Sequence, residues 1–234
     1  GTQRLTVGTS GVTVNGDLAT TTSGTSNFVA GVNAGNSIAS GGNYNTAVGD
    51  EAGTAITTGT VNTFVGYASG DATTTSGNNV GVGYASLGTN ILSSKNVALG
   101  NNALKTHNLA SAGEGLNVAV GHGAGEEITT GVQNTLIGGL AGDALTTGSL
   151  TAVGYSAGGS ATTSVGNVFM GELAGGSVTT GANNTAVGSQ ALSTEDAHGA
   201  NVAIGHDALK VLNAGADGYN VAVGWNAGLA LTTG

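Results

Sequence analysis

The sequence predicts an all-β protein, a parallel β-solenoid (β-roll) of about 12 to 13 coils with about 17 residues in each coil. A repeated nine-residue pattern is the main reason. It consists of Asn, three small or apolar residues, Gly, two variable residues, Ala, and then Gly or Leu, and it occurs twelve times at intervals of 16 to 21 residues. The chain also contains 45 Gly, no Pro and many β-branched Thr pairs, a composition that disfavours helices.

The copies define one column of Asn and one column of Gly. We number each copy from its first residue, so that Asn stands at position one and Gly at position five. Stacked coils place like residues about 4.8 Å apart, where Asn amides can hydrogen-bond along the axis. Gly is expected at a corner where φ is positive or where no Cβ fits. The expected structural ladder comprises Asn45, Asn62, Asn79, Asn96, Asn117, Asn134, Asn167, Asn184, Asn201, Asn220, Gly49, Gly66, Gly121 and Gly138.

Two parts of the chain differ in regularity. Residues 1–26 are interpreted as a degenerate first coil or cap, because their short β-type segments match the repeat only loosely. Residues 27–234 form the repeat solenoid, with Leu150 in place of the ladder Asn in one copy. Copies that end in Leu come in two pairs, beginning at Asn79 and 105 residues later at Asn184, which predicts two six-coil halves. The chain stops before the next expected Asn, so a truncated or open C-terminal coil is predicted.

Each coil is expected to contain two strands and two corners. The second strand would be the Thr pair followed by Gly, as in Ile56-Thr57-Thr58-Gly59. In the first strand, positions two and four face one way and position three the other. Position four, which holds Val48 and Val120, is predicted to be the core column. Position three is apolar as well, so this second face is expected to pack against sister chains in a homotrimer.

Composition excludes several classes of partner. The chain has 4 Lys and Arg against 13 Asp and Glu, a formal net charge of −9. Nucleic-acid binding is therefore not expected, because it needs basic side chains to neutralise phosphates. No apolar run approaches the roughly 20 residues that span a bilayer, so membrane insertion is not expected. The chain has no Cys, so backbone ladders rather than disulfides must support the fold.

The residues of catalytic and metal sites are scattered. His122 and His206 occupy the same repeat position five coils apart, which is roughly 24 Å by strand spacing, too far to share a metal. His107 and His198 are expected to be solvated loop residues. No Ser, His and Asp arrangement falls in one pocket, and no phosphate loop with Lys is present. The sequence predicts no enzyme, no metal site and no cofactor.

Two features could bind a ligand. Position six carries Tyr67, Tyr84, Tyr155 and Trp225, and the first two belong to consecutive copies and could stack as a sugar-binding edge. The bland alternative is that these aromatics only shield the corner. The Thr pairs could form the flat Thr array of an ice-binding solenoid, although adjacent Thr point to opposite faces and leave a single file.

The motifs Asn184-Thr185-Ala186-Val187-Gly188-Ser189-Gln190-Ala191-Leu192 and Asn201-Val202-Ala203-Ile204-Gly205-His206-Asp207-Ala208-Leu209 resemble head repeats of trimeric autotransporter adhesins and repeats of bacteriophage tail fibres. The resemblance covers about residues 27–234. It implies a parallel β-roll, left-handed in the adhesin heads, that assembles as a trimer on a cell surface or a virion, or otherwise outside the cell. No catalytic or binding residues transfer, because the family's repeat positions are structural.

We therefore expect a structural or adhesive segment of an extracellular or virion fibre, such as the shaft of a tail fibre or a surface adhesin. One alternative is a subunit of a head-to-tail extracellular filament. Another is an ice-binding or glycan-binding solenoid. The expected partners are copies of the chain itself, as a homotrimer or a head-to-tail polymer, and a cell-surface glycan or receptor.

Overall fold

A computed structural model describes residues 22–213 and 215–233 and shows a parallel β-solenoid. The described residues contain no helix, and none of them forms a segment long and apolar enough to cross a membrane as a helix. Residues 1–21 lie outside the described part, and so does nearly all of the predicted cap.

Fourteen strands are present in the described ranges. In chain order they are β1 (Phe28–Ala30), β2 (Thr46–Val48), β3 (Thr63–Val65), β4 (Val80–Val82), β5 (Ser93–Ser94), β6 (Val97–Leu99), β7 (Gly113–Glu114), β8 (Val118–Val120), β9 (Thr135–Ile137), β10 (Ser149–Val153), β11 (Val165–Met170), β12 (Thr185–Val187), β13 (Val202–Ile204) and β14 (Val221–Val223).

Twelve of these strands form one parallel sheet along the axis of the solenoid, in the order β1-β2-β3-β4-β6-β8-β9-β10-β11-β12-β13-β14. About eleven turns of chain join the first strand to the last, with a period of about 17 residues. Like positions pair throughout, as Thr46 pairs with Thr63 and Ala47 with Phe64. The register is irregular at one place in the described sheet, between Ser149 and Leu150. The predicted stacking of coils in register is thus confirmed.

The prediction of a second strand in every coil is wrong. A second sheet contains only β5 and β7. They lie in the coil that begins at Asn79 and in the longer coil that begins at Asn96. Elsewhere the chain folds after the strand into successive tight turns, such as Ala52 N–H to Gly49 O and Ile56 N–H to Gly53 O. The Thr pairs bond between coils without forming a strand ladder, because Thr57 N–H and Gly59 N–H both donate to the one carbonyl of Thr74, at 2.9 and 3.1 Å.

The predicted core column is also wrong, because position three and not position four points inward. Ala47, Phe64 and Leu136 at position three are fully buried, whereas Ile137 at position four is 40% exposed. Asn at position one is buried, and side chains alternate along a strand, so position three must lie on the same inner side as Asn. Positions two and four therefore form the outer face of the sheet.

The rest of the core comes from position twelve, three residues after the copy ends. Ile56, Ile128 and Leu145 occupy this position and are fully buried. In the copies that end in a buried Leu, position twelve is often polar, as with His107 after Leu104 and Glu195 after Leu192. Each coil thus supplies bulk to the core from one of several positions, and the interior volume stays filled.

Candidate functional surfaces and buried polar sites

The predicted ladder Asn lie in one buried column. Each amide oxygen accepts hydrogen bonds from the next Asn, as Asn45 Oδ1 does from Asn62 N–H at 3.0 Å and from Asn62 Nδ2 at 3.1 Å. The amide nitrogen also closes its own coil, because Asn62 Nδ2 donates to Ser76 O at 3.0 Å. One side chain therefore bonds two coils together and links the beginning of its own coil to the end of that coil. The same contacts recur up to Asn220.

Leu150 interrupts this column. Its N–H still donates the ladder bond to Asn134 Oδ1 at 2.7 Å, but Leu has no side-chain amide to continue the ladder. Nearby, the buried Ser164 Oγ has no hydrogen-bond partner. A shallow cavity of about 180 Å³ opens beside the irregular register and is lined in part by Gln133, Gly166 and Asn167. The interruption is a local weakness in an otherwise continuous ladder.

The Gly column brings the backbones of successive coils into contact. Gly49, Gly66, Gly121 and Gly138 all have φ between 126° and 140°. A Cβ on Gly138 would lie 2.3 Å from the carbonyl oxygen of Gly154 in the next coil. Where another coil follows, position five therefore excludes every other residue for two independent reasons, backbone conformation and lack of space.

The outer face of the twelve-stranded sheet is uncharged and mostly apolar along its whole length. Its side chains at positions two and four are Val, Thr, Leu, Ile and Met, with Phe28 and Ala30 in the first strand, and none is charged. Several are substantially exposed, including Val82 at 37% and Met170 at 43%. With eleven steps of about 4.8 Å, the face is roughly 50 Å long. An apolar surface of this extent is typical of an interface.

The four aromatic residues predicted to face a ligand are exposed at the corner, but only two of them meet. The rings of Tyr67 and Tyr84 stack with centroids 5.6 Å apart and planes inclined by 14°. The negative charge of Glu51 raises the pKa of Tyr67 above its usual value. Among the described residues, the Tyr155 ring contacts no other aromatic ring. Trp225 makes an edge contact with His206, with ring centroids 6.1 Å apart.

The Thr pairs are bound into the coil-to-coil bonding. The hydroxyls of Thr129, Thr146 and Thr162 donate to a backbone carbonyl of the next coil at 3.0 to 3.2 Å. The first hydroxyl of each pair is therefore not available as part of a free array, whereas the second Thr is exposed at Thr130 and Thr163. The contact explains the preference for Thr at the first position of the pair without a ligand.

His107 is not the solvated loop residue that we predicted. It is fully buried at position twelve, with Nε2 2.9 Å from Ser93 Oγ and 3.3 Å from Asn117 Nδ2. Burial lowers the pKa of His107 to about 4. The repeat pattern contained the signal, since position twelve is a core position in the neighbouring coils.

The structure also brings together three residues that the sequence did not connect. Glu195, Asp196 and His198 each offer one possible ligand atom, and these atoms lie within 4.8 Å of one another. Glu195 is fully buried, Asp196 is exposed and the His198 side chain is 28% exposed. His198 is thus only partly solvated, and the prediction for it was wrong in this respect.

Comparisons with known proteins identify no relative of this chain. No family model matches the sequence, no curated protein matches it, and no solved structure matches the fold. The similarity to adhesin heads and phage fibres rests on the repeat motifs alone.

Proposed function

We propose that this chain is a structural segment of an extracellular or virion fibre, and that copies of it assemble through the outer face of the twelve-stranded sheet. The uncharged face formed by positions two and four carries this proposal. All charged side chains of the described residues lie elsewhere, so the charge that keeps the rod hydrated is separated from the apolar face.

The occupant of this face is a second copy of the chain. A surface roughly 50 Å long and one strand wide needs a partner that is equally long and regular, and the chain itself offers such a partner. The strand face alone presents roughly 500 Å², which is within the range of patches that mark interaction sites. Three copies around one axis would bury the face in a closed assembly, as the resemblance to trimeric adhesins implies.

The mass of the protein in solution tests this proposal. Analytical ultracentrifugation should give three times the chain mass, independent of concentration over the micromolar range. Replacing Val120 and Val153 by Lys should reduce the mass to that of one chain while the circular dichroism of the coils persists, because a buried unpaired charge is costly at an interface. The matched control is Thr130→Lys, at an exposed site off the face, which should leave the mass unchanged.

Other masses would contradict the trimer. A monomeric wild-type chain would refute association through the sheet face. A mass that grows with concentration would favour the head-to-tail filament instead. Thermal hysteresis of a monomeric chain would point instead to ice binding by the single file of exposed Thr from the Thr pairs, such as Thr130 and Thr163.

A second candidate function is glycan binding at the corner. The stacked Tyr67 and Tyr84, flanked by the exposed Asp50 and Asn101, present aromatic edges and hydrogen-bonding groups side by side. Screening the assembled protein against a glycan array should give a signal that Tyr84→Ala abolishes. Tyr44→Ala, another exposed Tyr, serves as the control, and equal loss in both variants would exclude the stacked pair as the site.

A further inference from the structure

Glu195 places a carboxylate where most coils place an aliphatic group. It stands at position twelve, which holds Ile128 and Leu145 in earlier coils, and it is fully buried. Its Oε1 accepts hydrogen bonds from the backbone N–H groups of Asp196 and His198, at 3.2 and 3.3 Å. The ring nitrogen Nδ1 of His198 lies 3.3 Å from the same oxygen.

The corresponding loop in the other half of the solenoid shows what the fold itself requires. There, 105 residues earlier in the sequence, the equivalent residues are Asn90, Ile91 and Ser93. Asn90 Oδ1 accepts the N–H of Ser93 at 3.1 Å, which is the same loop-closing bond that Glu195 makes. A neutral amide is therefore sufficient to make this bond, and loop closure alone does not require a carboxylate.

All three positions differ between the two loops in the same chemical direction. Asn90 is matched by Glu195, Ile91 by Asp196, and Ser93 by His198, so each position gains a metal-ligating group. Glu195 Oε1 and His198 Nδ1 lie 3.3 Å apart, a separation at which both atoms can bind one ion.

We propose that Glu195, Asp196 and His198 bind a divalent transition-metal ion, with Zn²⁺ as the representative. Two carboxylates and one imidazole are typical zinc ligands, and a water molecule would complete a four-coordinate site. The ligand atoms lie within 4.8 Å of one another, whereas tetrahedral zinc with bonds of about 2.0 Å holds its ligands about 3.3 Å apart. The exposed Asp196 side chain rotates to close this difference. The bound ion would fasten residues 195–198 and stabilise this coil.

Isothermal titration of the chelator-treated 234-residue chain with ZnCl₂ tests the site. We expect one Zn²⁺ per chain with micromolar or tighter affinity, and a higher melting temperature in the presence of the ion. Glu195→Gln and His198→Gln should each weaken binding at least tenfold. Glu195→Gln retains a side-chain oxygen that can close the loop, as Asn90 does, so this variant should fold without metal.

His122→Gln removes an exposed His in another coil and should bind Zn²⁺ like the wild type. Absorption of the Co²⁺-loaded wild-type chain should show the intense visible bands of a tetrahedral site, and Asp196→Asn, at an exposed position, should alter them. Unsaturable Zn²⁺ binding, or equal affinity in the wild type, Glu195→Gln and His198→Gln, would overturn the proposal. Glu195 would then serve only to close its loop and pair with His198.

Discussion

At the scale of single residues, the Gly column brings the backbones of successive coils close together. Positive φ and the carbonyl of the next coil act together at position five, so that a methyl group there meets backbone that has no room to move. The neighbouring Gly139 is different, because a Cβ at that site would meet nothing closer than 3.6 Å. Two adjacent glycines thus have opposite tolerance to substitution.

Gly138→Ala should destabilise the protein by at least about 2 to 4 kcal/mol or prevent folding, because strain and a backbone clash coincide. Gly139→Ala should change the free energy of unfolding by less than about 1 kcal/mol. Urea unfolding followed by circular dichroism measures both variants. Similar losses of stability in the two would contradict the close approach of the coils.

The buried His107 makes stability depend on pH. Its pKa is about 4 in the folded chain, against an ordinary value near 6.5 in the unfolded chain. Between these values the unfolded state binds a proton that the folded state does not, so stability falls as the pH decreases from 6.5 toward 4. Lowering the pH from 7.5 to 5 should cost about 2 kcal/mol through this residue.

The variant His107→Leu isolates the effect, because Leu212 fills the corresponding buried position in the other half. Its urea midpoint should fall less than that of the wild type over the same pH range. The comparison of the two proteins is needed because burial raises the pKa of Asp71 and of Asp143, which works in the opposite direction. Equal pH dependence of both proteins would show that His107 is not buried in the neutral form.

At the scale of one coil, the core accepts its bulk from different positions. Beside the Gly at position nine, the space is filled by the Ile56 Cδ1 atom in one coil and by the Ile128 Cδ1 atom in another. In the coil that begins with Leu150, the Leu150 Cδ2 atom lies beside Gly158 instead. Position twelve of that coil is the small Ala161. The Leu that replaces the ladder Asn therefore fills core space that the small residue at position twelve leaves open.

This coupling predicts the behaviour of a double variant. Leu150→Asn alone should lose about 2 kcal/mol or more, because it leaves a cavity in the core while restoring the ladder. Leu150→Asn combined with Ala161→Ile should recover at least the wild-type stability. Chemical denaturation of the two single variants and the double variant gives the interaction energy, which should exceed about 1 kcal/mol. Additive effects would refute the exchange of core volume.

The coil also shows how far the sequence could be interpreted. The stacking of Asn45 on Asn62 and of Gly49 on Gly66 followed from the repeat, because identical residues at a fixed period must superimpose in a solenoid. The inner face did not follow, since Ala47 and Val48 are both apolar and hydropathy could not separate them. The buried Asn beside them was the deciding signal. His107 was misplaced for a related reason, because position twelve had not been recognised as a core column.

At the scale of the whole molecule, the two kinds of surface predict how assembly depends on salt. An interface of Val, Thr, Ile and Leu is stabilised by the removal of apolar surface from water, which salt does not screen. The mass of the assembly should therefore be the same at about 0.05 M and 1 M NaCl. Dissociation at high salt, measured by light scattering, would instead indicate ion pairs between chains.

Every strand of the long sheet pairs only with the strands before and after it. Removing one full repeat, such as residues 117–133, should therefore join two compatible rungs and shorten the rod by about 4.8 Å. Gene duplication or loss of whole repeats would adjust its reach in equal increments without redesigning any contact. The length of a protein built in this way can change during evolution by whole repeats, so that it can set a fixed distance between its two ends.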